Sequence, residues 1–256
     1  MPRHSIERRR SGRYALALSL IAAGLAWLPS GCASPPAPML RGQVPSTPLA
    51  SSELVQSDVN RIATLGMRDN LESLLRLGDK LYRRNPQEWR KTSSLSREDA
   101  LAQLRLAIDS RSAWHELQGK RDVVALSWTL SPDFRGDRVA AFVYALADML
   151  VTAHGGKTSF YLTDSLDAQY LYNAARNIEI AVWLLSSRRH AAGQPLLLAD
   201  EISERDRNLS FEREFGKMIG RLDLLAVVLI EKNRRAVITY VQNLLGGTFL
   251  QFLPVR

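Results

Sequence analysis

Only one cysteine, Cys32, occurs in 256 residues, so the chain has neither a disulfide framework nor a dithiol redox centre. Histidine is almost as scarce: beyond residue 31 there are His115, His154 and His190, far apart and without an H-E-x-x-H arrangement. A structural or catalytic zinc site is left without ligands. No G-x-S-x-G elbow advertises a nucleophile. Long hydrophobic runs are missing too. The most apolar stretch, Tyr14 to Leu28, falls short of the roughly 20 residues a bilayer-spanning helix needs. Excess charge is also less than it looks, because half of the formal net charge of +8 lies in residues 1–31. What remains does not single out a nucleic-acid partner.

What is present begins with Arg3, Arg8, Arg9, Arg10 and Arg13, then the apolar run, then Ser30-Gly31 directly before Cys32. A basic, then apolar, then small-residue order is that of a secretory signal peptide. With the cysteine placed after "LPSG", the segment resembles the lipobox of bacterial lipoproteins, with Pro29 where the family usually has an aliphatic residue and Leu28 one step further out. The resemblance implies cleavage before Cys32 and acylation of its thiol by chains such as palmitate. Each buried methylene contributes about 0.8 kcal/mol, so more than one chain anchors stably. By the same resemblance, Ala33 after the cysteine implies the periplasmic face of the outer membrane.

Residues 33–52, "ASPPAPMLRGQVPSTPLASS", hold five of the eleven prolines and read as a tether. It reaches up to about 60 Å as polyproline II, or about 25 Å as a flexible coil. The expected organisation is therefore a leader over 1–31, the lipidated cysteine and linker over 32–52, and a periplasmic domain over 53–256.

The periodicity of that domain is helical. Leu54, Val55, Ile62 and Leu65, then Leu71, Leu74, Leu75, Leu81 and Tyr82, lie on near-helical spacing up to Pro86. Ser96 is placed to cap a helix burying Leu101, Leu104 and Ile108. "RSAWHELQ" reads as a short helix, and "DVVALSWTL" fits helix or strand. Asp137 is placed to cap a helix over Val139–Ala153. Leu166–Arg188 carries two apolar stripes, one through Leu171, Ala175, Ile178, Val182 and Leu185 and one through Tyr170, Ile180 and Leu184, the mark of a central helix. From near Asn208, Phe211, Phe215, Met218, Leu222, Leu225 and Leu229 alternate four and three apart as a packed seam. "AVITYVQNLLGGTFLQFL" continues that helix or turns back as a hairpin, with helix favoured. The fold class expected is all-α, a bundle-like single domain.

Several motifs tempt. "HGGKTS", His154–Ser159, ends like a phosphate-binding loop, but Val151 stands where the first glycine belongs, and Gly155-Gly156 read as a helix stop. No nucleotide, cofactor or metal is expected. "RGD", Arg135–Asp137, reads as a turn and a cap. "RRNPQEWRK" interleaves Arg83, Arg84, Arg90 and Lys91 with Trp89, either a grip for a phosphate-bearing surface or a solvated helix end. "SPDFRGDRVAAFVYALADML" followed by "GGKTSFYLTDSLDAQYLYNAARNIEIAVWLL" resembles a block of proteobacterial envelope lipoproteins, which implies an envelope location and no particular activity. In that block Asp164 and Asp167, with His154, are the candidate acid and base of an envelope hydrolase acting on glycan or peptide. The structural alternative has Asp164 cap the helix, Asp167 sit in its first turn and Arg176 pair with Glu179. Taken together, these features point to a non-enzymatic role in envelope organisation or assembly through a helical surface. The hydrolase is the rival, and binding of a hydrophobic ligand between helices is a third reading.

Overall fold

The computed structural model describes residues 51–92, 96–202 and 207–250. Cys32, the leader and nearly all of the linker lie outside them. A 3-10 turn, Ser51–Val55, leads into α1, Asp58–Arg84; α2, Pro86–Trp89; α3, Arg97–Ser110; α4, Asp122–Thr129; α5, Arg138–Ala153; α6, Ala168–Ser187; and α7, Ser210–Leu250. A second 3-10 turn, His115–Leu117, and a two-residue antiparallel ribbon, Glu201–Ile202 with Arg207–Asn208, complete the described chain. The fold is all-α. "DVVALSWTL" is helix, whereas "RSAWHELQ" supplies only the 3-10 turn.

Helix boundaries follow local chemistry. Ser57 accepts from the amide of Asn60 at 3.2 Å, Ser96 from Asp99 at 3.1 Å, and Asp137 from Val139 and Ala140 at 2.9 and 3.0 Å, each meeting donors that a helix start leaves unpaired. α5 stops at Gly155 and Gly156, whose φ angles of +70° and +78° suit glycine. Gly156 donates back to Val151 at 2.8 Å, so "HGGKTS" is a helix stop.

α5 is the central element, buried on nearly every side. α1, α3, α4 and α6 all pack against it, and α7 covers α1 and α6. α6 therefore does not occupy the centre: Tyr170, Ile180 and Trp183 face solvent, while Leu171, Ala175, Ile178 and Leu185 of the first stripe are buried, Val182 is half-buried, and of the second stripe only Leu184 is buried. α1 shows a parallel difference. Ile62, with Leu54 and Val55 of the preceding 3-10 turn, is exposed, and the helix buries Asn60, Ala63, Met67, Asn70, Leu74, Leu77 and Leu81. Small and amide side chains on that face allow close approach and bond across it, as when Arg221 Nη1 donates to Asn70 Oδ1 at 3.1 Å. The seam from Phe211 to Leu229 is buried throughout.

Candidate functional site

The carboxylates singled out as acid and base sit on one loop but are not brought together. Asp167 is the cap of α6, its Oδ1 accepting from the Gln169 amide at 2.7 Å. Asp164 is not a cap. Its Oδ2 accepts from the Tyr161 amide at 2.8 Å and its Oδ1 from Lys157 Nζ, and these donors hold its carboxyl below the usual range. α1 and the segment just before it pin the same loop: Gln56 Nε2 donates to Phe160 O at 2.8 Å, Asn60 Nδ2 to Tyr161 O, and Phe160 N to Thr64 Oγ1 at 3.0 Å. His154 is buried, with Nδ1 2.8 Å from Leu150 O and its ring against Phe160, and burial pushes its pKa down. A histidine facing the core and two carboxylates held by local donors form no proton relay: no hydrogen bond joins any two of the three among the described residues.

The basic strip is largely matched by its own acids. Arg83 meets Asp79 at 2.8 Å, Lys91 meets Glu88 at 2.7 Å, and Arg90 lies over the Trp89 ring at 5.1 Å, while Trp89 packs on the core. Arg84 is half-buried and engaged. Arg176 meets Glu179 at 3.1 Å and Asp223 of α7 at 2.8 Å.

A buried polar cluster at the start of α5 joins residues far apart in the chain. Tyr82 donates its hydroxyl to Asp137 Oδ2 at 2.7 Å, and the Arg138 amide donates to Glu88 Oε2 at 2.8 Å. The Arg138 guanidinium donates to Thr129 O and Ser131 O at 2.9 and 2.7 Å, carbonyls at the end of α4. Burial lifts Asp137 to about 6 and pushes Tyr82 far up, so the phenol stays protonated and donates. Of this cluster only the capping role of Asp137 is visible in sequence. Tyr82 reads as an apolar residue on helical spacing and Glu88 as part of a charged run. Every member is consumed by another, so the cluster closes the fold and has no free group for a substrate.

Two clefts are open and mixed in character. One of about 410 Å³ is lined by Asp122, Met149, Thr152, Tyr170, Asn173 and Asn177, and one of about 740 Å³ between α1 and α3 by Glu72, Arg76, Asp79, Lys80, Arg83 and Arg105, with a few apolar neighbours. Both place amides or charges where a purely apolar ligand would sit.

The most exposed feature among the described residues is the second half of α7. At 41 residues α7 is about 60 Å long. The antiparallel α6 runs beside its first half, Leu185 lying across a small cleft from Phe215 and Arg176 reaching Asp223. Beyond Leu229 burial ends, and every residue from 232 to 245 is exposed. The seam that faces the body continues as Asn233, Ala236, Tyr240 and Asn243, mostly polar, while a different line is apolar on either side of Arg234: Val227, Ile230, Val237, Val241 and Leu244. These five are 45 to 64% exposed. The sequence marked this segment as helix or hairpin; it is helix to Leu250, and its apolar line points away from the chain's own core side.

No family model, curated protein or solved structure matches this chain.

Proposed function

We propose that the chain is a lipid-anchored protein of the periplasmic face of the outer membrane, held through Cys32, with a non-enzymatic role in envelope organisation or assembly. The reading is carried by α7, whose second half exposes an apolar line, interrupted by Arg234, that no other described element covers. Monomeric proteins rarely keep such a face uncovered. The local roles of Asp164 and Asp167 and the burial of His154 favour this over hydrolysis. Envelope components, and neither nucleic acid nor nucleotides, are its partners.

The test compares three alleles in the native host against a deletion strain. Cys32→Ser should remain unprocessed or be released from the membrane, because a hydroxyl does not replace the acyl-accepting thiol, and it should incorporate no palmitate. Val237→Glu with Leu244→Glu should be lipidated and folded yet give the envelope permeability of the deletion. Asp164→Asn with Asp167→Asn should behave as wild type. If the carboxylate variant folds normally but behaves as the deletion, the hydrolase reading takes over.

A further inference from the structure

We propose that the projecting half of α7 lies in the plane of a bilayer surface bearing anionic headgroups, its apolar line sunk among the acyl chains. This deepens the proposed function by naming the partner of α7, and it rests on that reading for the presence of a membrane within reach.

Three observations single out lipid. The first is sidedness. Val237, Val241, Leu244 and Leu245 recur at i, i+4, i+7 and i+8, while Thr239, Gln242, Asn243 and Gly246 recur on the opposite side at i, i+3, i+4 and i+7. A helix divided this way suits the boundary between headgroups and chains. The second is charge. After Glu231 no acidic residue occurs up to residue 256, whereas Lys232, Arg234, Arg235 and Arg256 are basic. Glu231 is shared by two arginines, with Arg234 Nε at 2.7 Å and Arg235 Nε at 3.2 Å, so the junction keeps a net positive charge. Such a cluster beside an apolar segment is attracted to an anionic leaflet. The third is the extent of the uncharged segment. Residues 236–250 of α7 carry no charge, yet no helix among the described residues is long and apolar enough to cross a membrane. Lying on the surface meets both facts.

A second copy of the chain is the competing cover. Val227, Ile230, Arg234, Val237, Val241 and Leu244 do alternate three and four apart. A paired seam would, however, place Arg234 among apolar positions, and of the residues that flank it only Glu231 is charged, already held by Arg234 and Arg235 of its own chain, while Asn233, Ile238, Tyr240 and Leu245 offer no charges to fix register. Like-charged tails repel each other where an anionic leaflet attracts them.

The experiment uses the full chain with Cys32→Ser, into which single cysteines are placed at 237, 241 and 244 on one side and at 239, 242 and 243 on the other. Each is labelled with nitrobenzoxadiazole and mixed with vesicles of phosphatidylethanolamine and phosphatidylglycerol containing a doxyl-labelled lipid. Circular dichroism melting confirms that each labelled variant is folded. Labels at 237, 241 and 244 should shift blue and be quenched about twofold or more, those at 239, 242 and 243 should not, and the effect should fall in phosphatidylcholine vesicles and at high salt. Quenching at no position overturns lipid docking while leaving the interaction-surface reading in place. Equal quenching at all six overturns the in-plane arrangement. A blue shift without lipid that grows with protein concentration assigns the face to a second copy and overturns the proposal.

Discussion

Tyr82 donates its hydroxyl to Asp137 Oδ2 at 2.7 Å across 55 positions of sequence, while the other oxygen of the same carboxylate caps α5. One buried side chain thus fixes the start of the central helix and its contact with α1.

Burial raises Asp137 from 3.8 to about 6, so the folded state holds this proton more tightly than the unfolded one. Its contribution to stability is fully present below about pH 4 and is lost as pH rises through 6, an effect on the order of 2–3 kcal/mol. Asp137→Asn keeps an oxygen for the Val139 and Ala140 amides without a charge to bury. Urea melts should find it at least as stable as wild type at pH 7.5, with the pH dependence between 4 and 6 reduced. Asp137→Ala, which strands the Tyr82 hydroxyl and both amides, should lose about 2–4 kcal/mol. An Asparagine variant as unstable as the alanine one would show that the charge itself is required.

His154 works in the opposite sense. Its lowered pKa means that the folded state disfavours the proton, so its contribution is present above the unfolded value of about 6.5 and is lost as pH falls. His154→Phe should be less acid-sensitive than wild type between pH 6.5 and 5, measured as the difference in Tm across that window. An unchanged difference would mean the imidazole does not titrate against the fold.

Asp167 and Asp164 should separate cleanly. Asp167→Ala removes the α6 cap and should cost about 0.5–2 kcal/mol, with Asp167→Asn close to wild type. Asp164→Ala should instead speed amide exchange at Tyr161, whose N–H it accepts, while α6 protection stays unchanged. Loss of α6 protection in Asp164→Ala would return the capping role to that residue.

Gly78 packs where α1 meets α3 and α5. A Cβ there would lie 3.4 Å from Leu101, 3.6 Å from Val143 and 3.7 Å from Leu104, ordinary contact distances. Gly78→Ala should therefore stabilise by about 0.5–1 kcal/mol through helix propensity. Gly78→Leu should cost about 1–3 kcal/mol by overpacking. Chemical denaturation of the two variants gives opposite shifts if the helices are this close.

Local features were legible in the sequence because their partners are local. The caps at Ser96 and Asp137, the glycine stop at 155–156 and the seam from Phe211 to Leu229 depend on hydrogen bonds within a turn or on one helical period. Periodicity says which residues share a face but not how many faces find neighbours. The double stripe of α6 therefore marked it as central, while α5, surrounded by α1, α3, α4 and α6, holds that place. Only the crossing of α1 over α5 brings Tyr82 to Asp137, and only the docking of the 157–164 loop on Gln56, Asn60 and Thr64 turns Asp164 toward Lys157 and leaves the cap to Asp167. In α7 the sequence determined the helical seam to Leu229 and the charge, and left residues 236–253 between helix and hairpin with helix favoured. That no described element lies beneath its far half was decided by the length of α6, which ends the packing near Leu229 and leaves Val237, Val241 and Leu244 exposed.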